Sequence, residues 1–528
     1  METNVCGPSA ETWRMGASLK NIKKTGGQCR KDEIDMSDWK MSIKRKALCL
    51  FGVSLLGLTG VCFVLPCQAG TRPNVVFIMA DDLGWGDPGF NNPNSKIPTP
   101  CLDAFSKEGM TFSDAHAGAA VCTPTRYGIM TGRHCWRSRL KKGVLNAYSS
   151  ALIEKDRLTL ARMFRDKGYA TACFGKWHLG MGLPAKNPKK KLTARNIDWD
   201  GRVNPSPIHF GFDTFFGITC AHPFIIVEDD HFYGTCVRIK DSHRDNRRMK
   251  TIELDELLPE VKQRAISYIG KSKESKKPFF LYVPLTAPHT PIAPSPFFKG
   301  KSGIGAYGDF CVQVDHVVGK ILEALKNNGL ERNTIVIFTS DNGCSPAAGT
   351  RKMVQKGHHA SGPYRGYKAD IYEGGHRIPF VIRWPGRIKA GSLNSEPICL
   401  TDAMATFADL IGFSLPNNAA EDSVNIMPAF LGTPHDKPLH EAIVHQSIRG
   451  ALGIRQGKWK LEMCAGSGGW SNPRPGPACK GLPEVQLYDM TTDISERKNL
   501  YKEYPDVVKR LTELLRSYKS SGRSVPKR

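Results

Sequence analysis

Acidic residues are what this sequence is short of. Only 50 aspartates and glutamates stand against 74 lysines and arginines, a formal charge of +24 over 528 residues. The imbalance is not confined to a tail. Residues 1–69 hold ten Lys/Arg and six Asp/Glu, or +4, which leaves +20 on the remainder. A surface of that sign attracts polyanions, whether nucleic acid, an acidic membrane or an acidic polysaccharide. No zinc-finger, RNA-recognition or helix-turn-helix signature accompanies it, so no nucleic-acid partner is expected. Nor is there the composition of a disordered chain, since 40% of the residues are hydrophobic and nine are tryptophan. The length suits one large α/β domain with a smaller one, or three ordinary domains.

A lipobox is also missing, because Cys62 follows Val61 and Cys67 follows Pro66. What stands there instead is Lys44, Arg45 and Lys46, an apolar run from Ala47 to Leu65, and then PCQAG. A basic segment, an apolar core and small residues (Cys67, Ala69) read as a secretory signal over about 41–69. The expected location is therefore secreted or periplasmic, with no stable membrane insertion once the signal is cleaved. If it is not cleaved, a run of this length anchors the chain in a membrane. Residues 1–40 are polar and unpatterned, so translation is expected to start at Met41. Sixteen cysteines suit an exported chain, and eleven of them lie beyond residue 69. With Cys122 set aside, Cys220–Cys236 and Cys464–Cys479 are the simplest disulfide pairs, although spacing does not determine connectivity.

The stretch CTPTRYGIMTGR, Cys122 to Arg133, places a cysteine at a helix start with Arg126 one turn on. Pro124 suits a first turn, where its missing N–H costs nothing. The reading is a nucleophile at a positive helix N-terminus ready for an anion; a buried structural cysteine is the alternative.

Around it, apolar strands end in polar groups. NVVFIMA runs into Asp81 and Asp82, and adjacent carboxylates at a strand's carboxyl end suggest a hard divalent cation. The strand after LTLARMFRDKGYA ends in Lys176, Trp177 and His178, whose lysine and histidine, two apart, suit binding and protonating an oxyanion. FFLYVPL is followed by His289, and TIVIFTS by Asp341 and Asn342. Strands alternating with helices predict an α/β fold, a large, mostly parallel, doubly wound sheet with one site along its edge. Lys368 precedes Glu373, two glycines and a fifth strand. Residues 183–250 read as an irregular basic insertion, the expected place for substrate recognition through His222, Asp229 and His231. Past residue 435, ALGIRQGKWKLEM and EVQLYDM read as antiparallel strands and YPDVVKRLTELLRSYKSS as a helix packed on them. The expected division is 1–69 extension and signal, 70–435 catalytic domain, and 436–528 a smaller C-terminal α+β subdomain.

The Cys-x-Pro-x-Arg…Thr-Gly string, GKWHLG, the lysine five residues before Glu-Gly-Gly, and LYD…DISE…NL together resemble the type I sulfatases. These enzymes depend on formylglycine and share the alkaline phosphatase superfamily fold. The resemblance runs over nearly all of residues 72–510 and is to arylsulfatases and N-acetylgalactosamine-6-sulfatase-like enzymes. It implies that Cys122 is oxidised to formylglycine (3-oxoalanine) by a maturation enzyme. It also implies one calcium ion held by Asp81, Asp82, Asp341, Asn342 and the modified Cys122. By the same resemblance Arg126 orients the formylglycine, and Lys176 and Lys368 balance sulfate charge. His289 protonates the leaving oxygen, and His178 takes the proton that lets sulfate go. The implied activity is hydrolysis of a sulfate ester, with a sulfated carbohydrate or an aryl sulfate as substrate. The rival readings are a phosphate or phosphonate ester hydrolase of the same superfamily and a non-catalytic polyanion-binding secreted protein.

Overall fold

The computed structural model describes residues 72–236 and 249–528. The signal segment and the start at Met41 fall outside those residues. No described helix is long and apolar enough to cross a membrane.

The first strands are β1 (Asn74–Asp81), β2 (Met110–Phe112), β3 (Ala115–His116), β4 (Ala170–Lys176), β5 (Thr214–Ile218), β6 (Ile225–Glu228), β7 (His231–Thr235) and β8 (Lys250–Thr251). They are followed by β9 (Phe279–Pro288), β10 (Thr334–Ser340), β11 (Phe380–Arg383), β12 (Ser392–Asn394) and β13 (Ile398–Cys399). Among the described residues, eleven of these form one sheet in the order β12-β2-β11-β10-β1-β9-β4-β5-β6-β7-β8. The centre, β10-β1-β9-β4-β5, is parallel throughout. The antiparallel neighbours are β11 on one side and β6 on the other.

Each central strand reads as an unbroken apolar run because both of its faces are covered. In β1, Val75, Phe77 and Met79 join one core and Val76, Ile78 and Ala80 the other. Helices α2 (Cys122–Thr131) and α3 (Leu160–Asp166) pack on the first face through residues such as Tyr127, Ile129, Met163 and Phe164. Helices α1 (Pro100–Glu108), α4 (Leu254–Ser272) and α5 (Ala306–Asn327) cover the second through Phe105, Val261, Val314 and Ile321. This is the doubly wound arrangement the alternation of elements predicts.

Residues 183–250 are less irregular than the sequence suggests, for β5, β6 and β7 lie inside them. β5 is a short segment that contains Gly217. It gains its place through pairing with β4 on one side and β6 on the other, contacts that no local pattern signals. At the C-terminus a separate antiparallel sheet holds β14 (Ile443–Gln446), β15 (Leu452–Gln456), β16 (Trp459–Glu462) and β17 (Gln486–Asp489). Helix α6 (Pro505–Ser520) covers it with Leu511, Leu515 and Tyr518 against Val444, Ile454 and Leu461.

Candidate active site

Four parallel strands deliver their carboxyl ends to one place. Asp81 is the last residue of β1 and Asp82 turns the chain away with φ 69°. Lys176 ends β4, and His178 two residues on has φ 56°. His289 follows β9 directly, and Asp341 and Asn342 follow β10. Positive φ in two non-glycine residues of one site is local backbone strain held by the surrounding fold. Lys368 arrives from the loop before the Glu373–His376 helical turn, with its backbone N–H donating to Cys344 O at 2.9 Å.

These groups contact one another directly. Lys176 Nζ lies 2.6 Å from Asp81 Oδ2, and Lys368 Nζ lies 2.6 Å from Asp82 Oδ1. Asn342 Nδ2 donates to the same Asp82 oxygen at 2.7 Å. His289 Nε2 stands 3.7 Å from Asp82 Oδ2. Helix α2 opens on Cys122, and Gly132 in the left-handed region closes it. One turn in, Arg126 is fully buried and spans the site. Its Nε and Nη2 donate to Asp341 Oδ2 at 3.0 and 2.8 Å, and its Nη1 donates to the Lys176 carbonyl at 2.7 Å. Arg126 thus ties the helix that opens on Cys122 to β4 and to the end of β10 at once.

The same geometry fits a hard cation. Cys122, Asp81 and Asp341 bring one ligand atom each within 4.8 Å of one another, as do Asp81, Asp82 and His289. Asp81 Oδ1, Asp82 Oδ2 and Asn342 Oδ1 are buried without a hydrogen-bond partner. Buried oxygens that nothing donates to are costly. A set composed of carboxylate and amide oxygens is what calcium takes.

Charge balance in the site follows from burial. Burial raises the Asp81 carboxyl, but Lys176, His289, Arg126 and Lys368 outweigh it and hold the group well below its usual range. Burial and the neighbouring Asp81 charge push Asp341 up, against Arg126. Burial, helped by Lys176 and Lys368 against Asp82, brings His289 down to about 4, so its ring is neutral at pH 7. Burial also lowers His178, with Lys176 adding to the effect.

His178 has a partner the sequence did not reveal. Its Nε2 lies 2.9 Å from the Leu145 carbonyl and 3.2 Å from Cys220 Sγ. The carbonyl fixes the proton on Nε2 and leaves the buried Nδ1 as an unpartnered lone pair. Cys220 is therefore engaged with a site histidine instead of with Cys236. All eleven described cysteines are free, including Cys464 and Cys479, whose sulfurs face backbone carbonyls. No sequence signal joins Cys220 to His178, because their contact depends on β4 and β5 lying side by side.

Of the three residues placed in substrate recognition, only His222 lies toward the site, exposed on the loop that follows the carboxyl end of β5. Asp229 and His231 are not brought there. They sit on the β6–β7 turn at the other end of the sheet, where Asp229 Oδ1 accepts from the Phe215 backbone N–H at 2.8 Å and from Thr214 Oγ1 at 3.1 Å. His231 is exposed and pairs with Asp230. The reason is topological: β6 runs antiparallel to β5, so its end points away from the ends of the parallel strands.

With fold and site in place, comparison with known proteins gives the family. The sulfatase family profile matches residues 73–413. N-acetylgalactosamine-6-O-sulfatase of Bacteroides thetaiotaomicron is 33% identical over 507 residues, covering 86% of this chain and 94% of that protein. Arylsulfatase A of Bos taurus is 31% identical over 466 residues, covering 83% of this chain and 85% of that protein. A solved structure from work on glycosaminoglycan metabolism by Bacteroides thetaiotaomicron superposes with TM-score 0.74 at 31% identity, covering 85% of this chain and 100% of that one. The chain belongs to the sulfatase family. It is a type I sulfatase of the alkaline phosphatase superfamily, an enzyme of sulfate ester hydrolysis.

Proposed function

We propose that this enzyme releases sulfate from a sulfated carbohydrate, using a formylglycine made from Cys122 and one calcium ion. The observation that carries the reading is the grouping of Cys122, at the start of α2, with Asp81 and Asp341 within 4.8 Å, in a site that holds three buried oxygens without hydrogen bonds and the buried cations of Arg126, Lys176 and Lys368. Asp81, Asp82, Asp341 and Asn342 would hold the calcium, which when bound supplies positive charge to the sulfate oxygens. A hydrated aldehyde at position 122 supplies an attacking hydroxyl and a second hydroxyl whose deprotonation frees the sulfate.

The chain's own groups do the rest. Arg126 fixes the helix start against Asp341. Lys176 and Lys368, each on a carboxylate oxygen, stand ready to balance charge on a bound sulfate as it builds up on the leaving oxygen. His289, half-buried at the rim beside Asp82, is placed to hand a proton to that oxygen once the charge of the bound sulfate has drawn a proton onto its ring. His178 offers Nδ1 as the base. Support for a sugar as the alcohol comes from the N-acetylgalactosamine-6-O-sulfatase relative and from the +20 carried beyond residue 69, which favours a polyanionic substrate. The chain needs a formylglycine-generating partner, and export through the 41–69 segment suits an extracellular or periplasmic polysaccharide. We further take residues 70–435 as the catalytic unit and 436–528 as its α+β companion.

The test is sulfate release from a panel of defined sulfated sugars by enzyme produced together with the maturation enzyme, with aryl sulfate and aryl phosphate alongside. The account expects turnover of at least one sugar sulfate and its loss in Cys122→Ser. Faster turnover of the phosphate would favour the phosphate-ester reading. Binding of sulfated glycan with no sulfate released would favour the non-catalytic one.

A further inference from the structure

Away from the catalytic oxygens, where the small antiparallel sheet meets the main body, three histidines come together. His116 ends β3, His376 closes the Glu373–His376 turn, and His445 lies in β14. All three are completely buried. His116 and His376 face each other through Nδ1 atoms 3.1 Å apart. The His445 ring stacks on His376, with centroids 3.8 Å apart and planes within 10°, and its centroid lies 4.8 Å from that of His116. One nitrogen from each ring lies within 4.8 Å of the other two.

The outer contacts decide where the protons sit. His116 Nε2 is 2.6 Å from Asp114 Oδ1, and His376 Nε2 is 3.1 Å from the Ile371 carbonyl. Neither oxygen can donate, so a hydrogen on each Nε2 leaves two Nδ1 lone pairs aimed at each other with nothing between them. An inner nitrogen left free, with the outer N–H held by a carboxylate or a carbonyl, is how imidazoles are set to bind a transition metal. A metal-free assignment also exists. Lys460 Nζ, 3.2 Å from His376 Nε2 and paired with Glu373 and Glu496, can donate to that nitrogen, and His376 Nδ1 can then donate to His116. That assignment gives His445 nothing: both of its ring nitrogens stay unpartnered at zero exposure.

We propose that His116, His376 and His445 form a second metal site, separate from the catalytic one, that takes a zinc-type transition-metal ion and staples the small sheet to the main body. Three neutral imidazoles suit zinc, copper or nickel and not calcium or magnesium. Nitrogens 4.8 Å apart at most need to draw in by roughly 0.7 Å to reach Zn–N bonds of about 2.0–2.1 Å. His445 does so by turning its ring out of the stack. The carboxylates of Asp114 and Glu373 lie close by to offset the ion's charge against Lys460, Arg377 and Arg455.

The test uses the full chain, stripped with a chelator and then saturated with calcium so that the oxygen site is filled, and titrated with Co²⁺ as the probe. The proposal expects one Co²⁺ per chain with the strong visible bands of low-coordinate nitrogen ligation, displaced by one equivalent of Zn²⁺. His445→Phe keeps a flat ring in the stack. In that variant the bands are expected to vanish and Zn²⁺ to stop raising Tm. Equal uptake and equal Tm shifts in the two proteins, or no bands in the parent, would reduce the cluster to core packing. If His445→Phe does not fold, zinc-edge X-ray absorption on the parent decides. Three nitrogen neighbours at about 2.0–2.1 Å support the site, and an all-oxygen shell overturns it.

Discussion

Lys368 Nζ and Asp82 Oδ1 are paired at 2.6 Å with both side chains buried, and the other Asp82 oxygen, 3.7 Å from His289 Nε2, accepts no hydrogen bond. Lys176 and Asp81 repeat the arrangement, with 2.6 Å between Nζ and Oδ2, while Oδ1, 3.5 Å from Arg126 Nη2, accepts no hydrogen bond. On the proposed reading each carboxylate divides its two oxygens between a lysine and the calcium ion, so that the lysines hold the ligands in position and present their charge to the sulfate. In calcium-free protein, Lys368→Met leaves Asp82 without its counter-charge. That should cost about 3–5 kcal/mol in stability and lower turnover roughly 10²-fold or more. Chemical denaturation with and without calcium, beside steady-state kinetics, checks both, and calcium should restore most of the stability. An unchanged midpoint would mean that the pair contributes little.

Calcium itself should stabilise the fold. At a hundred times its Kd a ligand adds about 2.7 kcal/mol, visible as a rise in Tm. Asp341→Asn removes a ligand charge and the Arg126 partner together, and should abolish the rise. Magnesium at the same concentration should do less, because it demands a tighter octahedron. Thermal scans of both proteins with each ion decide the point. An equal calcium shift in Asp341→Asn would place the ion elsewhere.

His289 earns its assigned role only if the leaving group needs a proton. His289→Gln should lose roughly 10²–10⁴ in kcat/KM on a sugar sulfate, whose alkoxide leaves badly, and far less on an activated aryl sulfate. Comparing the two substrates in parent and variant measures this. An equal loss on both would point to binding instead of proton transfer.

The segment just after the Cys122 helix is pinned by Arg137 and Asp422, whose two hydrogen bonds are 2.8 Å each, while the His134 backbone N–H donates to Asp422 at 2.8 Å. Burial raises the Asp422 carboxyl, but His134 and Arg137 outweigh it and hold it below its ordinary 3.8. A carboxyl lowered by folding contributes stability that is complete above its unfolded pKa and is lost as pH falls through the folded one. Asp422→Asn should therefore cost about 3–5 kcal/mol at pH 7, and the gap should narrow below pH 3.8. Urea melts at the two pH values check it, and a gap independent of pH would contradict the assignment.

The strands that make the site were legible because each is an unbroken apolar run ending in a polar residue, and Asp81, Lys176, His289 and Asp341 all fall where those endings place them. Contacts that need two distant segments side by side were not legible. Nothing local to Cys220 signals His178, and nothing local to His116 signals His376 or His445. Asp229 and His231 were misplaced because a residue's position in an insertion does not say which way its strand runs. Asp87 shows the same limit. Nothing in its neighbourhood marks it, yet it accepts from the Gly84 N–H at 2.6 Å and pairs with His358 Nε2 at 2.8 Å, fixing the turn that follows Asp81 and Asp82.

The central claim is that position 122 works as an aldehyde. Mass spectrometry of the tryptic peptide ending at Arg126, from a preparation of measured specific activity, tests it most directly. The account predicts that residue 122 has exchanged its sulfur and two hydrogens for one oxygen and reacts with hydrazide probes. Specific activity across preparations should rise in proportion to the converted fraction. Full activity in a preparation whose Cys122 is an intact thiol would contradict it.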